Sequence, residues 1–254
     1  MRYRSWSLIA RSSPLLCLLL TALAARPAPA SPDVEELLAW ARPKVVLVYV
    51  RPAGPPRWGT GFIAERGRIV TNEHVVRDAR AVTVWANGAP YPARVAAIDS
   101  PRDLAVLVVP GTSLELKPLA LARDGRDPPG EAVMILASRV QMSWGRGSVR
   151  VRPVTGSAWG YTWLRWPNGL SDFDLRLQAA AISGDSGSPV LRLRDGAVVG
   201  ILRGRTNPDA SGRSDTAWAV PIEAAHALLA RVRAPSSADA SVPEHYYLEP
   251  MARH

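Results

Sequence analysis

The sequence predicts an all-β fold, a sandwich or barrel, with a short helix at each end. Short apolar segments recur from Val45 to about Arg203, each bounded by Gly, Pro, Asn or Asp. Asn87-Gly88 lies between two of them and reads as a tight hairpin turn, because both residues tolerate the positive φ that such turns need. Nothing repeats at the roughly 20–50 residue period of solenoids or propellers, so 254 residues suit one sizeable domain, or one domain of two halves.

Residues 1–30 stand apart from this pattern. Arg2, Arg4 and Arg11 precede an apolar run centred on Leu15 to Ala25, and Ala28-Pro29-Ala30 follows. That order is a secretory signal peptide with cleavage expected after Ala30. The uncharged stretch from Ser12 to Ala25 is too short to span a bilayer comfortably, so no stable membrane span is expected after cleavage. Cleavage would remove four arginines and no acidic residue, lowering the net charge from +9 to +5. Such a surplus serves solubility, and no stretch interleaves basic and aromatic residues, so a nucleic-acid partner is not expected. Cys17, the only cysteine, sits inside the apolar run, and Pro14-Leu15-Leu16 before it is not the small-residue context of a lipidated cysteine. The exported chain would then hold no thiol and no disulfide, and neither a metal nor a cofactor is expected.

The elements follow in order. Pro32 to Arg42 reads as an amphipathic helix with Val34, Leu37, Leu38 and Ala41 on one face, ended by Pro43. Strands are expected over Val45–Val50, Gly61–Ala64, Arg68–Asn72, Ala81–Ala86, Ala93–Ile98 and Leu104–Val109. A second set covers Ala132–Ala137, Gly147–Val154, Leu175–Ala179, Pro189–Leu193, Ala197–Leu202 and Ala217–Val220. Pro221 suits the first position of a closing helix whose buried stripe is Ile222, Ala225, Leu229 and Val232. Residues 234–254, rich in Pro, Ser and Ala, read as a mobile tail. The division expected is 1–30 signal peptide, 31–122 first half, 123–233 second half and 234–254 tail.

The chemistry concentrates in three places. Gly184-Asp185-Ser186-Gly187-Ser188-Pro189 offers a serine flanked by glycines, which let the backbone turn tightly and aim N–H groups at a developing oxyanion. Serine is a poor nucleophile alone, so a histidine must take its proton and a carboxylate must hold that histidine. His226 falls in the closing helix and His245 and His254 in the tail, which leaves His74, after the hairpin around Gly67. Asp103, 29 residues downstream, stands at the mouth of the apolar strand Leu104–Val109, where a buried acid needs a partner.

With these residues in place the sequence resembles the trypsin-like serine proteases, and among them the bacterial Deg or high-temperature-requirement group. The resemblance rests on Gly59-Thr60-Gly61-Phe62-Ile63, Thr71-Asn72-Glu73-His74-Val75-Val76, Asp103-Leu104-Ala105-Val106-Leu107 and Gly184 to Pro189. Val199-Gly200-Ile201 and Trp218-Ala219-Val220-Pro221 extend it over about Val45 to Ala230. It implies two antiparallel β-barrels of the chymotrypsin type, with His74 and Asp103 on the first and Ser186 on the second. It also implies a serine endopeptidase acting on protein or peptide substrates; with the signal peptide it would be exported, periplasmic or secreted, and the Ala, Arg and Pro-rich composition points to a bacterium. The triad would be His74, Asp103 and Ser186, and the oxyanion hole the N–H groups of Gly184 and Ser186. The peptide-binding domain of Deg proteins is not expected here.

Departures from the family pattern carry their own expectations. Glu73 replaces a small or amide residue behind the base, and Ser188 replaces a second glycine after the nucleophile. Asp185, where Deg proteases commonly have Asn, should be buried against an internal arginine. The segment Trp144 to Trp166 does not align, and its aromatics, Trp159 and Trp163 among them, are expected in a barrel core or, alternatively, in a substrate-facing loop. By resemblance the specificity pocket has Ala180 at its floor and Arg203, Gly204 and Arg205 in its wall. With both arginines turned to solvent the pocket is apolar and takes small or medium side chains; an inward arginine would favour an acidic one. Two other readings are a degenerate protease serving as a binding module, and an esterase, whose nucleophile turn needs glycine where Ser188 stands.

Overall fold

The computed structural model describes residues 33–110, 117–143, 146–166, 171–205 and 214–232. The segments expected to be a signal peptide and a tail, and Trp144, lie outside the described residues. Helix α1 (Val34–Ala41) is capped by Asp33, whose side chain accepts from the Glu35 N–H at 3.0 Å, and Leu37 and Ala41 are buried. Val34 is exposed. Pro43 does not stop the chain abruptly, because a 3-10 turn over Arg42–Lys44 carries it into the first strand.

Six strands, β1 (Val45–Arg51), β2 (Arg57–Glu65), β3 (Arg68–Thr71), β4 (Ala81–Ala86), β5 (Ala89–Asp99) and β6 (Leu104–Val108), close into a barrel in the order β1-β2-β3-β6-β5-β4. A second set, β7 (Glu131–Ser143), β8 (Arg146–Arg165), β9 (Ser171–Ala181), β10 (Pro189–Arg192), β11 (Val198–Arg205) and β12 (Ser214–Pro221), closes in the order β10-β11-β12-β9-β8-β7. All pairings between these twelve strands are antiparallel.

The continuous apolar runs have a packing reason. Along β1, β2, β3 and β6 one face fills the first barrel, with Val46, Val48, Ile63, Ile69, Ala105 and Leu107. Residues of the other face, Val45, Phe62, Val70, Leu104 and Val106, join a second core that includes β7, β11, β12 and helix α3 (Ile222–Leu229). Strands buried on both faces cannot alternate apolar with polar residues. In α3, Ile222, Ala225 and Leu229 are buried as expected and Val232 packs against the same core. Pro221 is the last residue of β12 and the cap of α3, one place earlier than expected.

Two elements differ from the sequence reading. A one-turn helix α2 (Glu73–Val76) stands where only a turn was expected, and it carries His74. Strand β8 runs for 20 residues rather than ending at Val154, pairing first with β7 and then with β9. The segment that resists alignment is therefore largely one strand. Two of its aromatics are not barrel core: Trp159 and Trp163 are 53% and 58% exposed, with Trp163 edge-on to Phe173 at 4.9 Å between ring centres, whereas Tyr161 between them packs against the second core.

Candidate active site

The acid is built first. Asp103 adopts a φ of 55°, a left-handed conformation unusual for a residue other than glycine. Its surroundings hold it there: its N–H donates to Ser100 O at 3.1 Å, and its carbonyl accepts from Glu73 N at 3.1 Å and Asn72 Nδ2 at 2.9 Å. The carboxylate is thereby turned onto α2. Its Oδ1 accepts from the His74 backbone N–H at 2.8 Å, and its Oδ2 lies 2.7 Å from His74 Nδ1. That geometry fixes the ring and leaves Nε2 as the atom available to a proton donor. Glu73, buried behind the base, pairs with Arg77 one turn on, so its charge is balanced locally.

Ser186 comes from the loop between β9 and β10. Gly184 and Gly187 both have positive φ, 85° and 84°. At Gly187 a Cβ would strike the Thr60 carbonyl and come within 2.5 Å of Thr71 Oγ1, so no side chain fits there. The backbone N–H groups of Gly187 and Ser188 are engaged, to Leu202 O at 2.8 Å and Asp185 O at 3.1 Å. Among the described residues, no hydrogen bond uses the N–H of Gly184 or Ser186. Ser188 is fully buried against the start of β10, and its hydroxyl has no partner among the described residues.

Asp185 has two arginine partners rather than one. Arg139 from β7 donates to its Oδ1 and Arg152 from β8 to its Oδ2 at 2.8 Å, while the Ile182 N–H donates to Oδ2 at 2.7 Å. Burial pushes the Asp185 carboxyl above its usual range, and that N–H and the two arginines work against the shift. Burial pushes Arg139 below its usual value. Arg139 also donates to Ser183 O and, with Trp58, flanks Gly184: a Cβ at Gly184 would lie 2.7 Å from an Arg139 nitrogen and 3.7 Å from Trp58 Nε1.

The acid and the serine meet at Arg203. Its carbonyl oxygen accepts from Ser186 Oγ at 3.5 Å, and its Nε lies 3.7 Å from Asp103 Oδ2. Among the described residues, no hydrogen bond joins Ser186 Oγ to His74. Arg203 is 4% exposed, contrary to the expectation of a surface residue. A cavity of about 350 Å³ opens beside Ser186, lined by Ala181, Ile182, Leu202, Gly204 and Arg205 together with the loop Ser183 to Asp185. Gly204 and Arg205 thus line it as expected, whereas Arg203 does not. Nor does Ala180, which is exposed; Ala181, the next residue along β9, is buried and takes that place, because successive strand residues face opposite ways. Among the described residues there is no group of three or more side chains suited to hold a metal ion, and no helix is long and apolar enough to cross a membrane.

The model of the trypsin-like peptidase domain matches residues 59–201, from within β2 to within β11, a span that includes His74, Asp103 and Ser186. The chain belongs to the trypsin-like peptidase family. Within it the chain is similar to serine protease HTRA4 of Homo sapiens, 34% identical over 67% of this chain and 34% of that protein. It is also similar to serine protease Rv3671c of Mycobacterium tuberculosis, 31% identical over 60% of this chain and 37% of that protein. A probable periplasmic serine endoprotease DegP-like of Rhizobium meliloti is 32% identical over 67% and 32%. The chain therefore spans about a third of the length of the curated relatives it matches. Among solved structures, the active form of the Rv3671c protease superposes with a TM-score of 0.65 at 27% identity, covering 84% of this chain and 94% of that one. A trypsin-like peptidase domain of the Deg type, in the double-barrel fold, accounts for the described residues of this chain.

Four residues of the site escape a reading of the sequence. Thr60, Arg139, Arg152 and Asp174 each act across sequence separations of 29 to 124 residues. Asp185 alone carried a signal, since a buried acid demands a cation.

Proposed function

We propose that this chain is an exported serine endopeptidase. Ser186 Oγ attacks the scissile carbonyl and forms an acyl-enzyme, while His74 Nε2 accepts its proton and passes it to the departing amine. Asp103 holds His74 in the tautomer that accepts at Nε2, and water then hydrolyses the ester by the same base. The N–H groups of Gly184 and Ser186 receive the oxyanion, each worth roughly 3 kcal/mol when aimed at the developing charge. One observation carries the reading: a His74–Asp103 pair at 2.7 Å lies across Arg203 from a serine whose loop keeps two N–H groups without described partners. For attack, Ser186 Oγ leaves the Arg203 carbonyl and turns to His74, a side-chain rotation that breaks only a 3.5 Å contact. The basic, apolar and small-residue order of residues 1–30 supports export, as does the periplasmic designation of the Rhizobium meliloti relative.

The test is covalent labelling. The purified chain should react with a fluorophosphonate at one serine, and Ser186→Ala should neither label nor cleave casein. A wild-type chain that does not label would sink the assignment and leave a binding module. N-terminal sequencing of the exported chain should begin at Ser31, and a chain retaining Arg26 would refute the cleavage site.

A further inference from the structure

Behind Asp103 the second barrel presents a buried charge relay that no triad requires. The Arg203 guanidinium, on β11, lies 3.7 Å through Nε from Asp103 Oδ2, and its NH1 is 3.3 Å from both carboxylate oxygens of Asp174 on β9. NH2 donates to Pro101 O at 3.4 Å, in the loop before Asp103. Trp166 completes the set: its ring stacks 4.7 Å from the guanidinium carbon, and its Nε1–H donates to Asp174 Oδ2 at 2.7 Å. Asp174 is 0% exposed and Arg203 4%. Burial pushes the Asp174 carboxyl above its usual range, with Arg203 the first influence against it. The other charges nearby are paired among themselves, Glu73 with Arg77 and Arg102 with Asp99 and, more loosely, Asp172.

A guanidinium beside the acid of a triad should hinder catalysis. Contacts of 2.7 and 3.7 Å in series put His74 Nδ1 and Arg203 Nε within about 6.4 Å of each other. Two positive charges at that distance, at the effective dielectric of a protein site, disfavour the imidazolium by roughly a hundredfold. Asp174 removes the conflict. With both carboxylates ionised, Asp103, Arg203 and Asp174 together carry one negative charge, and the proton that reaches His74 brings the group to neutrality.

We propose that Arg203 and Asp174 are positioning residues of the catalytic base: Arg203 ties Asp103 to the second barrel, and Asp174 balances Arg203 so that Asp103 keeps its charge for His74. This rests on the proposed function, in which His74 is the base. The role of Asp174 is electrostatic, so its loss is repaired by removing the cation that it balances.

The experiment compares Asp174→Asn with Asp174→Asn/Arg203→Met, each checked for folding by thermal melting. Asp174→Asn retains the shape and an oxygen for Trp166, and should lower kcat by about a hundredfold with KM within about threefold of wild type. Adding Arg203→Met should raise kcat by about tenfold over the single variant, an order that a merely structural contact would reverse. The downfield proton resonance of His74 Nδ1–H supplies a readout that needs no turnover. It should move upfield in Asp174→Asn and return in the double variant. A double variant no faster than Asp174→Asn, or a resonance that does not move, overturns the proposal. Should Asp174→Asn fail to fold, the double variant, which buries no unpaired charge, is compared with wild type directly: a kcat within about tenfold of wild type with the resonance unmoved supports the proposal, and a loss above about a hundredfold or a shifted resonance overturns it. A wild-type chain that does not label with fluorophosphonate overturns the proposed function instead, and the resonance then decides the role of Asp174.

Discussion

The backbone N–H of Thr60 donates to the carbonyl of Ser186 at 2.9 Å, so a strand of the first barrel holds the nucleophile loop of the second. The same residue reaches further with its side chain. Thr60 Oγ1 accepts from the Ser138 N–H at 2.9 Å and donates to Gly184 O at 3.3 Å, while its carbonyl accepts from Thr71 Oγ1 at 2.7 Å. Thr60→Val keeps the volume but strands the buried Ser138 N–H, which should cost about 1–3 kcal/mol. At this size each kcal/mol lowers the melting temperature by roughly 2–4 °C. Thr60→Ser should melt like wild type, and a Thr60→Val variant doing the same would show that the hydroxyl is idle.

The barrels were legible in the sequence because their strands are short, apolar and punctuated, and His74, Asp103 and Ser186 stood out as candidates because each sits in a local motif. What failed to show has a physical pattern. The 20-residue strand β8 stays hidden because an excursion beyond the barrel is exposed on both sides, so Trp159 and Trp163 obey no burial period. Arg203 reads as a surface residue by composition, since arginine is rarely buried. It is buried because Asp174, 29 residues earlier, and Trp166 wait for it, and no local pattern announces partners at that distance. Ala180 and Ala181 differ by one place in a run of three alanines, and a one-residue register error exchanges the inner and outer faces of a strand.

Lys44 gives a pH dependence to stability. Its Nζ donates to Trp40 O at 2.9 Å and sits 3.2 Å above the Trp40 ring centre. Burial, and secondarily Lys117, lower its pKa from the usual 10.5 to about 8. Between those two values the folded chain has released a proton that the unfolded chain still binds, so raising the pH through that window favours the folded state. Wild type should therefore gain melting temperature relative to Lys44→Met as the pH rises from 8 towards 10. A difference that stays constant over that interval would mean that Lys44 remains protonated in the folded chain.

Asp103→Asn tests the acid with little disturbance of the backbone. Asparagine tolerates the left-handed φ of 55° found at this position, and the carbonyl contacts to Glu73 and Asn72 do not involve the side chain. The amide nonetheless favours the wrong tautomer of His74, which in such triads lowers kcat by about four orders of magnitude. Steady-state kinetics on a peptide substrate should show that loss with KM little changed. A loss below about tenfold would assign the orientation of His74 to another group.

Arg205 should set the preference for the residue before the cleaved bond. The cavity beside Ser186 has no free carboxylate, because Asp185 is taken by Arg139 and Arg152 and its side chain is 2% exposed. Ala181 and Gly204 leave the space open, and Ile182 and Leu202 make part of its wall apolar. Arg205 is then the one cation lining it, and among the described residues it has no ion-pair partner. A lysine or arginine of the substrate would enter without a counter-charge, at a cost of several kcal/mol. A glutamate or aspartate would meet one, an interaction that solvent weakens because Arg205 is only half-buried. Of the two pockets that the sequence leaves open, Arg205 in the lining favours the acidic one, and the expected preference for an acidic side chain over alanine is roughly tenfold. A peptide-library profile should show that preference, and Arg205→Ala should convert it to small apolar residues while leaving the rate of fluorophosphonate labelling near wild type. Cleavage mainly after lysine or arginine would refute the assignment of this cavity as the specificity pocket. A preference for glutamate that survives Arg205→Ala would move the recognition to Arg139, across the loop from it.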